Sequence, residues 1–226
     1  MVLEFFKSQP SSSLDEVEIK LVEMLRHGRR VFDAANAAVF GGGKSKATKR
    51  EVRGTDQEIN ELQAEVRRIL LVHAATTPAF DLTLVLSYMS VVKDAERVGD
   101  YAKNLYDLAK YGADFGAAVD RDELLRYRDN VGKLIDDVAT VFSNRDGDAA
   151  QHLIDKADGF LKKYDALVKR AYKSDGPASD AVARALYFRY LKRITAHCMN
   201  LLTSLVAPID RLDRYDEADE DRDQDV

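Results

Sequence analysis

The sequence predicts an all-α protein of six helices arranged as two tandem three-helix bundles. Three observations carry this. Long segments place apolar residues at i, i+3, i+4 spacing. Alternating strand patterns bounded by turn dipeptides are nearly absent. An order of helix, helix, proline break, helix occurs twice. Only four prolines stand in the chain, which leaves room for long helices.

The first helix is expected from Ser13 or Leu14 to Phe40, with Ser13 as N-cap and Glu16 three residues on in a capping-box pattern. Gly41-Gly42-Gly43 ends it. The second runs from Lys46 to Thr76, with Ile59, Leu62, Val66, Ile69, Leu70 and His73 on one face. Thr77-Pro78 breaks it, because proline disfavours helix at the residue before it. The third runs from Pro78 to Tyr111, with Gly112 beyond its end. The fourth covers Arg121–Phe142 and the fifth Asp148–Lys173. After Gly176-Pro177 the sixth continues to Val206, before Pro208.

Duplication is legible in the residues. Glu96-Arg-Val-Gly-Asp-Tyr-Ala-Lys-Asn-Leu105 aligns with Lys192-Arg-Ile-Thr-Ala-His-Cys-Met-Asn-Leu201, and Asp56-Gln-Glu-Ile-Asn60 with Asp158-Gly-Phe-Leu-Lys162. The expected organisation is an N-terminal extension over 1–13, a first repeat over 14–112, a second over 113–207 and an acidic, disordered tail over 208–226. From Ile209 to Val226 stand nine acidic residues and three arginines, a balance of -6 against a chain total of -5, so the rest of the chain carries about +1. The single cysteine, Cys198, excludes an intrachain disulfide. No apolar run is long enough for a membrane span, and Met-Val-Leu-Glu-Phe-Phe-Lys does not read as a signal peptide, so a cytosolic location is expected.

The segment Asp94-Ala-Glu-Arg-Val-Gly-Asp-Tyr-Ala-Lys-Asn104 resembles the signature of PhoU domains. Asp56-Gln-Glu-Ile-Asn60 looks like its companion on the preceding helix, and Thr77-Pro78-Ala-Phe-Asp-Leu82 like the entry into the signature helix. With the degenerate second copy, the resemblance covers roughly residues 14–206. It implies a paired three-helix-bundle fold and a cytoplasmic regulator of inorganic phosphate uptake, not an enzyme. Its implied partners are a membrane phosphate transporter or a sensor histidine kinase, reached at the inner face of the membrane. A homodimer is left open, and nucleic acid is not an expected partner. A generic helical adaptor, or a metal-binding bundle with no phosphate role, is the alternative.

Some members of that family hold metal clusters through Glu/Asp-x-x-x-Asp motifs, which here implies a site in the first repeat at Asp56, Asn60, Glu96 and Asp100. Glu96 and Asp100 lie one turn apart, opposite the apolar stripe Leu84, Tyr88, Val91, Ala95, Val98 and Ala102. Asp56 and Asn60 lie off the apolar face of the second helix. Such an all-oxygen set suits manganese, magnesium or iron. A solvated polar face, neutralised by Arg97 or Lys93, accounts for the same spacing. In the second repeat Lys162 and Lys192 replace Asn60 and Glu96, and Ala196 replaces Asp100. There a salt bridge from Lys192 to Asp158 is expected in place of metal.

Other motifs carry less. Gly41-Gly-Gly-Lys-Ser45 lacks the first glycine of a phosphate-binding loop, Ala38 standing there, and follows a helix rather than a strand. Lys44, Lys46, Lys49, Arg50 and Arg53 make the following helix start basic. No histidine has a glutamate three residues before it, so a ferritin-like di-iron pattern is missing, and His73 reads as a core residue.

Overall fold

The apolar spacing is realised as six α-helices among the described residues. These are 12–77 and 82–212 of a computed structural model. They are α1 (Ser12–Ala37), α2 (Lys46–Thr76), α3 (Leu82–Lys110), α4 (Arg121–Asn144), α5 (Gly147–Tyr172) and α6 (Ala178–Val206). A π-turn, Ala38–Gly42, follows α1, and a 3-10 turn, Ile209–Arg211, follows α6.

The boundaries have local causes. Gly41 and Gly43 take positive φ of 104° and 61°, which turns the chain out of α1. Ser45 caps α2 by accepting the Thr48 amide at 2.9 Å. At the end of α3, Gly112 has φ 99° and the Ala113 amide reaches the Leu108 carbonyl at 2.9 Å, closing the last turn. Asp146 caps α5 by accepting from the Ala149 amide at 3.0 Å. Pro177 stands at the N-cap of α6.

Ser13 is not an N-cap. The helix already begins at Ser12, and the Ser13 hydroxyl lies 2.8 Å from Nδ1 of buried His73 on α2. Pro78, most of the N-terminal extension and the acidic tail from 213 onward lie outside the described residues.

Within each half the three helices contact one another: α1, α2 and α3 in the first, α4, α5 and α6 in the second. The halves meet through α1 on α4 and α3 on α6, so helices of the same rank pair across the junction. The stripe expected on α3 is buried throughout, as are Ile59, Val66, Leu70 and His73 on α2. Burial of these apolar faces is the main force that holds such helices together.

The α3–α6 junction brings matched positions of the repeat together. Tyr101 and His197 align in the two copies, and their rings stack at 5.5 Å. Extended two residues upstream of Glu96 and Lys192, the same alignment matches Asp94 with Tyr190. Asp94 meets His197 at 2.8 Å, while Tyr190 meets Tyr101 at 6.2 Å between ring centroids. At the α1–α4 junction a second echo appears. Gly28-Arg29 with Asp33 on α1 has the same spacing as Gly132-Lys133 with Asp137 on α4. Arg29 pairs with Asp33 at 2.9 Å and Lys133 with Asp137 at 2.7 Å. Arg29 also reaches across to Asp136 and donates to the Gly132 carbonyl at 2.7 Å.

Candidate functional site

The two motif segments of the first bundle face each other, and a glycine is the reason they can. A Cβ placed on Gly99 would sit 2.5 Å from Cδ1 of Ile59, and one on Gly28 would sit 3.1 Å from Cγ1 of Val98. The helices α1, α2 and α3 therefore pack at their closest where glycine stands. Gly99→Val is expected to force α2 and α3 apart at buried Ile59 and to cost about 1–3 kcal/mol. Urea unfolding of the purified chain measures it, and an unchanged midpoint would contradict the close approach.

One turn beyond that contact lies the carboxylate patch. The structure brings Asp56, Glu96 and Asp100 to a shared edge of α2 and α3, with side chains between 18% and 25% exposed. Exposed Asn60 stands outside this ion-paired set. The patch has a cation at its centre, Lys103, in place of the expected Lys93. Its Nζ lies 2.9 and 3.0 Å from the two oxygens of Asp56 and 2.9 Å from Oδ1 of Asp100. Arg97 adds contacts of 3.1 Å to Asp100 and 3.6 Å to Glu96, while Lys93 points to solvent. Lys103 follows Asp100 by three residues, so the helix sets it on the same face, and this spacing was available in the sequence.

The metal expected at this patch does not fit the arrangement. Asp56 and Asp100 direct their oxygens at an ammonium group, and a cation bound by both would have to displace it. Among the described residues, no group of three or more acidic, histidine or cysteine side chains is placed to hold a metal ion.

Burial raises the pKa of Glu96, and the neighbouring Arg97 opposes the shift. A carboxyl whose folded pKa lies above its unfolded value contributes stability at low pH. That contribution is lost as pH rises through the folded pKa. Glu96→Gln is therefore expected to raise the melting temperature slightly at pH ~7. The gain should vanish as pH falls to ~3, below the ordinary glutamate pKa of ~4.3, where the side chain is protonated in both states. A gain that persists at the lower pH would contradict the assignment.

In the second bundle, Lys192 does pair across the last two helices, but with Asp165 at 2.5 Å rather than Asp158. Asp158 is met by Lys162 one turn along α5, at 2.7 Å. Lys192 points along α5 towards the turn that carries Asp165, which is why the earlier expectation named the wrong carboxylate. Lys44, just before α2, and Lys46, Lys49, Arg50 and Arg53 in its first turns are all exposed, and Lys44 donates to the Lys110 carbonyl at 3.3 Å.

A second polar constellation sits at the centre of the α3–α6 junction. Asp94 is fully buried, His197 is 1% exposed, and Asn200 donates to Asp94 Oδ1 at 3.0 Å. The helix positions alone could have flagged it: Asp94 lies three residues after Val91 and four before Val98, inside the apolar stripe.

Residues 21–109, which run from α1 through α3, match the family model of the PhoU domain. The phosphate-specific transport system accessory protein PhoU homolog of Synechocystis sp. (strain ATCC 27184 / PCC 6803 / Kazusa) is 27% identical over 207 residues. That alignment covers 86% of this chain and 90% of the relative. The chain thus carries a stretch similar to the PhoU domain over residues 21–109. Its fold is that of solved PhoU structures. The phosphate transport system regulatory protein PhoU from Streptococcus pneumoniae matches with TM-score 0.75 at 19% identity, over 88% of this chain and 95% of that one. PhoU from Pseudomonas aeruginosa matches with TM-score 0.73 at 21% identity, over 86% and 96%. The matched PhoU segment contains both motif segments and the glycine contact that joins them. No helix among the described residues is long and apolar enough to cross a membrane.

Proposed function

We propose that this protein belongs to the PhoU family and is a regulatory accessory of inorganic phosphate transport. It would act in the cytoplasm by binding a membrane phosphate transporter or a phosphate-sensing kinase, not by turning over a substrate. The observation that carries the reading is the match to the PhoU domain over residues 21–109, together with a relative along most of the chain that is named an accessory protein of phosphate-specific transport. A helical bundle with charged outer faces suits docking on other proteins, and the residues brought together at the patch are paired with one another rather than poised for proton transfer.

Affinity purification of the tagged chain from detergent-solubilised membranes tests it. A phosphate transporter component or a sensor kinase is expected to co-purify. Leu82, Leu86 and Met89 follow i, i+4, i+7 spacing on α3 and remain 50%, 49% and 37% exposed, so Leu86→Glu tests whether that stripe is the contact. Recovery of neither component from phosphate-starved or phosphate-fed cells would contradict the proposal.

A further inference from the structure

We propose that Lys103 is the resident cation of the first-bundle carboxylate patch, so that this chain needs no metal there, and that removing its ammonium group turns the patch into a divalent-cation site. The argument begins with charge. Asp56, Glu96 and Asp100 place three carboxylates at one edge of α2 and α3, each three-quarters or more withdrawn from solvent. Repulsion among them is offset by cations held close by.

The structure shows which cation is central. One ammonium touches both oxygens of Asp56 and one oxygen of Asp100, each contact within 3.0 Å. Lys103 is itself only 33% exposed, so the contacts are shielded from solvent rather than waving at the surface. Arg97 completes the compensation from the outer side, on Glu96 and Asp100. An ammonium has three donors, and three of the contacts here are at hydrogen-bond distance. The ion pair also ties α2 to α3 across 47 residues of chain, the structural task a bridging metal would otherwise perform.

The second bundle independently repeats the device. Lys192, 12% exposed on α6, holds Asp165 of α5 at 2.5 Å. In both halves a lysine of the third helix closes on an aspartate of the second, at different positions along the helices. The neutralising charge is thus carried by the chain in each case.

The patch is nevertheless built from ligands that hard cations accept. Asp56 and Asp100, on two helices that approach closely at Gly99 and Ile59, direct three oxygens at the Lys103 ammonium. Methionine at 103 keeps the length and apolar stem of lysine and deletes the charge, so in Lys103→Met those carboxylates would lack their central partner.

The experiment titrates manganese(II) into metal-free full-length protein and reads bound ion by electron paramagnetic resonance, with the melting temperature measured in parallel. Wild type is expected to show no stoichiometric binding and no manganese-dependent shift in melting temperature. Lys103→Met is expected to bind manganese at least ~10-fold more tightly than wild type and to regain melting temperature as manganese is added. The double variant Lys103→Met/Asp56→Asn is expected to lose that gain, which assigns the ion to this patch. Lys103→Arg, which keeps the charge, is expected to behave as wild type. Two results overturn the proposal. One is wild type that holds about one manganese per chain, lost in Asp56→Asn. The other is Lys103→Met with intact helicity by circular dichroism and no manganese binding. Neither result bears on partner binding, so the proposed regulatory role stands or falls separately.

Discussion

Asp94→Ala is expected to destabilise the protein by about 3–5 kcal/mol, since it takes a hydrogen-bond acceptor from two buried polar groups and leaves a cavity in the junction. For a chain of this size that corresponds to a melting temperature lower by about 10 °C. Asp94 is wholly buried on α3, with His197 Nδ1 at 2.8 Å and Asn200 Nδ2 at 3.0 Å, both on α6. Removing the carboxylate takes one hydrogen-bond acceptor away from both a buried imidazole and a buried amide at the junction of the two bundles. Asp94→Asn keeps an oxygen in place and is expected to cost less than half as much. Thermal unfolding followed by circular dichroism compares the two. Equal and small losses would mean that the junction is held by its apolar contacts alone.

Arg145→Ala is the second large effect, expected at about 3 kcal/mol or more. Arg145 ends α4 in the left-handed region, at φ 52°, an uncommon conformation for a residue with a side chain. Its guanidinium holds Glu18 with contacts of 2.6 to 3.0 Å and Asp15 at 2.7 Å. Glu18, on α1, is 8% exposed and also accepts from the Tyr88 hydroxyl of α3. Burial and the Glu18 charge hold the Tyr88 phenol well above its usual pKa, so it remains a donor throughout the working pH range. Arg145→Ala strands the Glu18 carboxylate among buried groups. Glu18→Gln in the same chain removes that charge and keeps an acceptor for Tyr88, so the double variant is expected to recover a large part of the loss. Additive losses in the cycle would show that Arg145 acts by its backbone conformation and not through Glu18.

The fold was legible because its signals are local. Apolar periodicity, the three glycines at 41–43 and the Gly176-Pro177 break place the helices within a few residues of their observed ends. Residue types that face each other across helices were harder to read. The carboxylates of the patch were identified from their motif, yet Lys103 was passed over, since its role depends on a rotamer that swings it towards Asp56 on another helix. Lys192 illustrates the same limit: helix faces told that it would meet a carboxylate of α5, but the axial offset between α5 and α6 decided that it would be Asp165. In the sequence, His197 is one of four histidines and stands in no ligand motif. Only the α3–α6 packing, which sets it against Asp94 and Tyr101, gives it a task. The Gly28 and Gly132 echo was present in the sequence, and its short, degenerate spacing gained meaning once α1 and α4 were seen to meet there.

The regulatory role is tested most directly by phosphate uptake in living cells. Initial rates of phosphate entry should be measured across external phosphate concentrations in cells that lack the chain, and in the same cells supplied with wild type. Cells without it are expected to lose the fall in uptake that accompanies phosphate sufficiency, and wild type is expected to restore it. Uptake that responds to external phosphate identically with and without the chain would contradict its assignment as a regulator of phosphate transport.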